Sequence, residues 1–159
     1  MLPSTPGSDP LDNAAISRDL AARAWWFGPE GIASFARSAV DIAHRCPCGG
    51  PTVVRTAPRL PGGTPFPTSY YATCPRLTGA ISTLESSGLM AQMSQRLLED
   101  EDLAVRYRAA HEDYLARRAE LGDVPEIEGI SAGGMPTRVK CLHVLVAHSL
   151  AAGPGVNPL

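Results

Sequence analysis

Thr52-Val53-Val54-Arg55-Thr56 and Thr68-Ser69-Tyr70-Tyr71-Ala72-Thr73, joined through Pro58 to Pro67 with Gly62-Gly63 inside the connector, decide the fold. Both runs are β-branched and aromatic, and the Pro/Gly-rich segment between them turns the chain back, so they predict a long hairpin or two-stranded ribbon. Such a ribbon is marginal in water by itself and needs a helical layer or a metal to hold it. Helical periodicity lies on both sides. Before the ribbon, residues 13 to 43 read as helix interrupted at Gly28-Pro29, with Asn13 as a cap, Ile16, Leu20 and Ala24 on one face, and Phe35, Ala39 and Ile42 on the next. Trp25-Trp26-Phe27 beside that break read as cover for a core edge, with a partner-docking patch as the alternative.

After the ribbon, Leu77 to Leu121 predict two helices. Leu77, Ile81, Leu84, Met90, Met93 and Leu97 form the first stripe, and Leu103, Tyr107, Ala110, Tyr114 and Leu121 the second. Arg106, Arg108, Glu112, Arg117 and Arg118 fall on the solvated side of the second helix. The run Glu99-Asp100-Glu101-Asp102 sits at its start, where carboxylates complement the helix dipole. A loop from Pro125 to Pro136 leads to a last helix over about Thr137 to Ala151, closed by Gly153-Pro154-Gly155. The expected fold class is α+β: a short β-ribbon with a candidate metal site, packed against four to five α-helices. The division is a disordered lead-in over 1–12, a single domain over 13–152 and a C-terminal tail over 153–159.

Bulk numbers narrow the function. With 159 residues and 44% apolar content the chain supports one domain with an adequate core. A net charge of −2 gives no electrostatic case for nucleic acid. No apolar run approaches the roughly 18 residues of a membrane span. The first ten residues lack the basic and apolar regions of a secretory signal, which points to the cytoplasm. Four cysteines in that reducing compartment read as free thiols or metal ligands rather than disulfides.

Those cysteines lie in turns or at a helix start: Cys46 and Cys48 in His-Arg-Cys-Pro-Cys-Gly-Gly, Cys74 in Thr-Cys-Pro-Arg, Cys141 in Lys-Cys-Leu-His. A soft divalent metal needs three or four ligands gathered by folding, so Cys46, Cys48, Cys74 and Cys141 are the candidate zinc set, against buried or reactive thiols without metal and, last, an iron–sulfur cluster or a disulfide. His143 and His148 are alternative ligands, and the start of the last helix decides between them. A helix beginning before Cys141 puts His148 on the cysteine's face, about 10 Å along the axis, as a polar-core or supporting residue. A helix beginning after Cys141 lets Cys-Leu-His present both side chains to one ion. Pro136, well placed near a first helical position, favours the earlier start. His44 could approach the site, and His111 reads as solvated.

A second constellation is cationic. Ser131, Gly133 and Gly134 belong to a Gly-rich loop running into a helix N-terminus, followed by Arg138 and Lys140, with Arg59 and Arg76 from the ribbon able to face it. Exposed backbone amides, a helix dipole and cations make an anion cradle. No Gly-x-Ser-x-Gly elbow exists, and thiol–disulfide enzymes usually show Cys-x-x-Cys rather than Cys-x-Cys.

Arg45-Cys46-Pro47-Cys48-Gly49, Ala57-Pro58-Arg59-Leu60, Gly63 to Thr68, Thr73 to Leu77, Leu84-Glu85, Ser131 to His148 and the closing Asn157-Pro158 together resemble the bacterial domain-of-unknown-function 501 family, common in actinobacteria. The resemblance covers about Ala43 to Pro158. The amino-terminal third departs from it, with Trp-Trp-Phe-Gly-Pro-Glu where a Gly-Arg-x-Pro-Arg stretch is expected. Members tend to be encoded beside a divisome coiled-coil protein and an exopolyphosphatase-like enzyme, which implies a protein partner in cell division or polyphosphate physiology. The expectation is a cytoplasmic interaction or regulatory protein with a zinc-stabilised site. The alternative is an enzyme or sensor of a phosphorylated small molecule or polyphosphate.

Overall fold

The computed structural model describes residues 38–159. The expected lead-in, most of the Asn13–Ala43 helical segment and Trp25-Trp26-Phe27 lie outside the described residues. Within them the fold is α+β: a three-stranded antiparallel sheet in the order β1-β2-β3 and four helices. β1 spans Ala39–Arg45, β2 Pro51–Thr56 and β3 Tyr70–Ala72. The ribbon is β2 with β3, Val53 opposite Ala72 and Arg55 opposite Tyr70.

The third strand corrects the sequence reading, which carried helix through Ala43. Phe35, Ala39 and Ile42 have helical spacing, but Ile42 pairs with Val54 and Arg45 with Pro51. The pairing is irregular at three places along β1, so its side chains do not alternate as a strand's usually do, and the period-two signal is lost.

The helical region holds three helices where two were expected: α1 over Pro75–Ser86, α2 over Leu89–Glu99 and α3 over Glu101–Ala119. Gly88, at φ +82°, turns the chain between α1 and α2 in a conformation that a side chain disfavours. Asp100 starts α3 by accepting the Leu103 N–H at 2.9 Å. Leu103, Tyr107, Ala110 and Tyr114 are buried as their spacing predicts, whereas Leu84 is 47% exposed. Arg118 also departs from expectation: it is buried and donates to the carbonyls of Pro67, Ile127 and Ile130.

A 3-10 turn at Pro125–Ile127 precedes the last helix, α4, over Leu142–Ala152. α4 packs on β3 and α1, and its Leu142, Val144, Leu145 and Ala147 join Val53, Tyr70, Ala72, Ile81, Leu103, Tyr107 and Tyr114 in one core. Val54, on the other face of β2, is fully buried too. No helix among the described residues is long and apolar enough to cross a membrane.

Candidate metal centre

α4 begins after Cys141, not near Thr137, and its start organises the site. Residues 131 to 141 are held in turns by the glycines. Gly133 (φ +69°) accepts the Lys140 N–H at 2.7 Å, and Gly134 (φ +92°) accepts the N–H groups of Thr137 and Arg138. A Cβ on Gly134 would lie 2.6 Å from the Arg138 carbonyl oxygen, so the loop closes on itself where a side chain would need room. Pro136 therefore sits in a turn, and Cys141, in extended conformation at φ −151°, becomes the residue before the first helical turn.

The free N–H groups of that turn are met from across the core. Glu85, in the last turn of α1, accepts the Leu142 N–H at 2.7 Å and the His143 N–H at 3.4 Å. The same carboxylate oxygen lies 3.0 Å from His143 Nδ1, while Ser82 Oγ, one turn back on α1, is 3.5 Å from His143 Nε2. The imidazole is thus held from both nitrogens. Ligand atoms of Glu85, Cys141 and His143 all lie within 4.8 Å of one another, and the three side chains are partly buried. Burial alone would raise the Glu85 carboxyl, but hydrogen bonds from His143 and the Leu142 amide outweigh it and hold it below its ordinary value. Burial pushes the Cys141 thiol up; the amides of Val144 and His143 oppose this, and the Glu85 charge adds to it. The arrangement can offer a divalent ion a carboxylate, an imidazole and a thiolate.

The other expected residues are placed elsewhere. Cys46 and Cys48 are joined as a disulfide in the turn between β1 and β2, which corrects the reading of both as free ligands. Cys74 is a free thiol at the residue preceding α1, at the far end from Glu85 and about 16 Å along the axis at 1.5 Å per residue, so it cannot share an ion with Cys141. His148 is wholly buried. Its Nε2 lies 2.9 Å from Asp113 Oδ2, and the Asn157 amide is 3.5 Å from its Nδ1. Tyr70 stacks on the ring and Tyr114 meets it edge-on. Burial lowers the His148 pKa more than Asp113 restores it, which favours the neutral ring, with Nε2 set beside the Asp113 carboxylate. His148 belongs to the polar core, and the cysteine's companion is His143.

The anion constellation does not assemble around the helix start. Glu85, a carboxylate of the chain itself, occupies the α4 amides that a bound anion would need. Arg59 forms a two-pronged pair with Glu126 at 2.9 and 2.8 Å and donates to the Gly63 carbonyl. Ser131 is buried against His111, its Oγ 2.8 Å from Nδ1, so His111 is tied down where solvent was expected. The side chains of Arg76, Arg138 and Lys140 are exposed. His44 stands apart with a buried Nδ1 that has no hydrogen-bond partner among the described residues.

Nothing in the local sequence marks Glu85, Ser82 or Asp113 as site residues. Ser82 and Glu85 are three apart in a helical stretch and so share a face, but that spacing does not reveal which helix start they meet.

Compared with known proteins, residues 42–159 match a family described as "Protein of unknown function (DUF501)". No curated protein and no solved structure matches the chain.

Proposed function

This chain belongs to the DUF501 family, whose description assigns no activity, and from its own site we propose a zinc-binding regulatory or interaction protein with Glu85, Cys141 and His143 as ligands. The observation that carries this reading is the mutual approach of the three ligand atoms within 4.8 Å, from α1 on one side and the start of α4 on the other. Sulfur, nitrogen and oxygen donors together suit zinc better than calcium or magnesium, which take oxygen ligands. Three protein ligands also leave one tetrahedral position for water or a partner's donor atom.

The surrounding groups fit that role. Nδ1 of His143 faces Glu85, and Ser82 beside Nε2 can keep the ring oriented once Nδ1 is given to the ion. Binding would displace the Cys141 thiol proton and any proton held between His143 and Glu85. Because burial strengthens the thiol's hold on its proton, affinity should rise with pH. An ion bound only by the native state adds about 2.7 kcal/mol of stability at a hundredfold excess over its Kd. That increment would act where α1 meets α4, which is how metal occupancy could govern a partner's access.

The test is metal content and zinc-dependent melting of the purified chain. About one equivalent of zinc should remain after dialysis, and chelation should lower the melting temperature. Cys141→Ser and His143→Ala should each abolish the zinc-dependent shift, while Cys74→Ser should leave it intact. Undiminished zinc retention in the Cys141→Ser/His143→Ala double variant would reject these ligands.

A further inference from the structure

The Cys46–Cys48 disulfide stands apart from the metal centre and closes only the tip of the β1–β2 hairpin. Joining residues two apart constrains the unfolded chain very little, because loop-closure entropy grows with the length of the loop closed. The turn does not depend on it. Cys46 N–H donates to the Gly50 carbonyl at 2.9 Å, Gly49 N–H to the Cys46 carbonyl at 2.9 Å, and the Arg45 guanidinium to the Gly49 carbonyl at 2.9 Å. Pairing of Arg45 with Pro51 and of His44 with Val53 continues the hairpin beneath. A bond that adds little to stability, in a turn secured by other means, can open and close without unfolding its surroundings.

The two sulfurs are not equivalent. Cys48 is exposed and Cys46 half-buried. The Cys48 N–H donates to Cys46 Sγ at 3.2 Å, placing a hydrogen-bond donor on one sulfur. A donor of that kind stabilises negative charge on Cys46, and exchange is faster when the departing thiolate is the better stabilised one.

We propose that Cys46–Cys48 is a thiol–disulfide exchange site, attacked at Cys48 and releasing Cys46. The co-reactant is a low-molecular-weight thiol. Its thiolate attacks Cys48 Sγ, a new S–S bond forms there, the Cys46–Cys48 bond breaks, and the electron pair leaves on Cys46 Sγ. A second thiolate attacks the small-molecule sulfur of this mixed disulfide and releases Cys48. Cys46 and Cys48 take up the two protons that the small thiols gave up. The protein disulfide gains two electrons, and two small thiols become one small disulfide. The reverse sequence closes the bond.

The experiment exposes the full-length chain to buffers of reduced and oxidised glutathione, quenches with acid, alkylates, and maps every cysteine by mass spectrometry. The chain should switch reversibly between the two free thiols Cys74 and Cys141 and all four cysteines free. The transient glutathione adduct should lie on Cys48 in roughly tenfold excess over Cys46. Melting of the reduced and oxidised forms should nearly coincide. An adduct chiefly on Cys46, a bond that resists reduction in the folded chain, or a reduced pair that oxidised glutathione does not close would each overturn the proposal.

Discussion

Glu85→Ala is the substitution that tests the architecture most directly, because a single carboxylate joins the end of α1 to the start of α4. It removes the acceptor at 2.7 Å from the Leu142 N–H and leaves His143 Nδ1 without its partner at 3.0 Å. Loss of a helix-capping side chain costs about 1 kcal/mol. Loss of a negative charge at a helix N-terminus that is partly shielded from water adds about 0.5–1 kcal/mol. The sum is about 2 kcal/mol, or a fall in melting temperature of about 4–8 °C for a chain of this length. Glu85→Gln keeps an oxygen acceptor and loses only the charge, so it should cost about half as much. The assay is urea and thermal unfolding with a chelator present, so that no metal contributes. Its pH dependence carries a second check. The folded pKa of Glu85 lies below the ordinary 4.5, so its ionised form stabilises the fold fully above that value. That stability is lost as pH falls through the depressed folded pKa, and the gap between wild type and Glu85→Ala should narrow there. A cost for Glu85→Ala under about 0.5 kcal/mol, or a gap that stays constant through the acid range, would refute the capping argument.

Two further substitutions probe the framework around the site. Tyr114→Phe removes a fully buried hydroxyl that accepts the N–H groups of Ser69 at 2.7 Å and Tyr70 at 3.4 Å. With those amides left unmet where β3 begins, urea unfolding should show a loss of about 2 kcal/mol; a neutral outcome would mean water reaches them. Burial holds the same hydroxyl up at about 12, so its absorbance should not titrate below that pH while the protein stays folded. Gly134→Ala places a methyl 2.6 Å from the Arg138 carbonyl at φ +92°, and chemical denaturation should report a cost of at least about 2 kcal/mol. Wild-type stability in that variant would show that the 133–140 turn yields easily.

The ribbon and the α3 stripe were legible because their determinants are local. Val53 and Val54 lie in a β-branched run, and Leu103, Tyr107, Ala110 and Tyr114 recur at helical spacing. β1 was hidden because the irregularities in its pairing with β2 erase alternation, leaving a spacing at Ala39 and Ile42 that imitates a helix. The start of α4 was hidden for a different reason. Pro136 followed by Thr-Arg-Val-Lys reads as a first turn, but Gly133 and Gly134 draw the amides of Thr137, Arg138 and Lys140 onto their own carbonyls, and the Val139 N–H goes to Ser94 Oγ. The partner that fixes the true start is Glu85, 57 positions from Leu142. Spacing could identify Cys141 and His143 as possible neighbours; only the packing of α1 on α4 supplies their third companion. The same distance effect misplaced Arg118, whose charge suggested solvent but whose nitrogens are bound to three carbonyls.

Arg118 also bears on where the chain can be cut or extended. The Pro58–Pro67 connector and the stretch from Gly122 to Gly134 are rich in glycine and proline, the composition in which an engineer would splice a tag, a fluorophore or a guest domain. One guanidinium holds Pro67 from the first segment and Ile127 and Ile130 from the second, and Arg59 with Glu126 binds the two together again. They are therefore a single laced seam, and splicing into either would loosen both. The exposed Ser87-Gly88 step between α1 and α2 is the better place for a graft, since its Gly88 has open space where a side chain would stand.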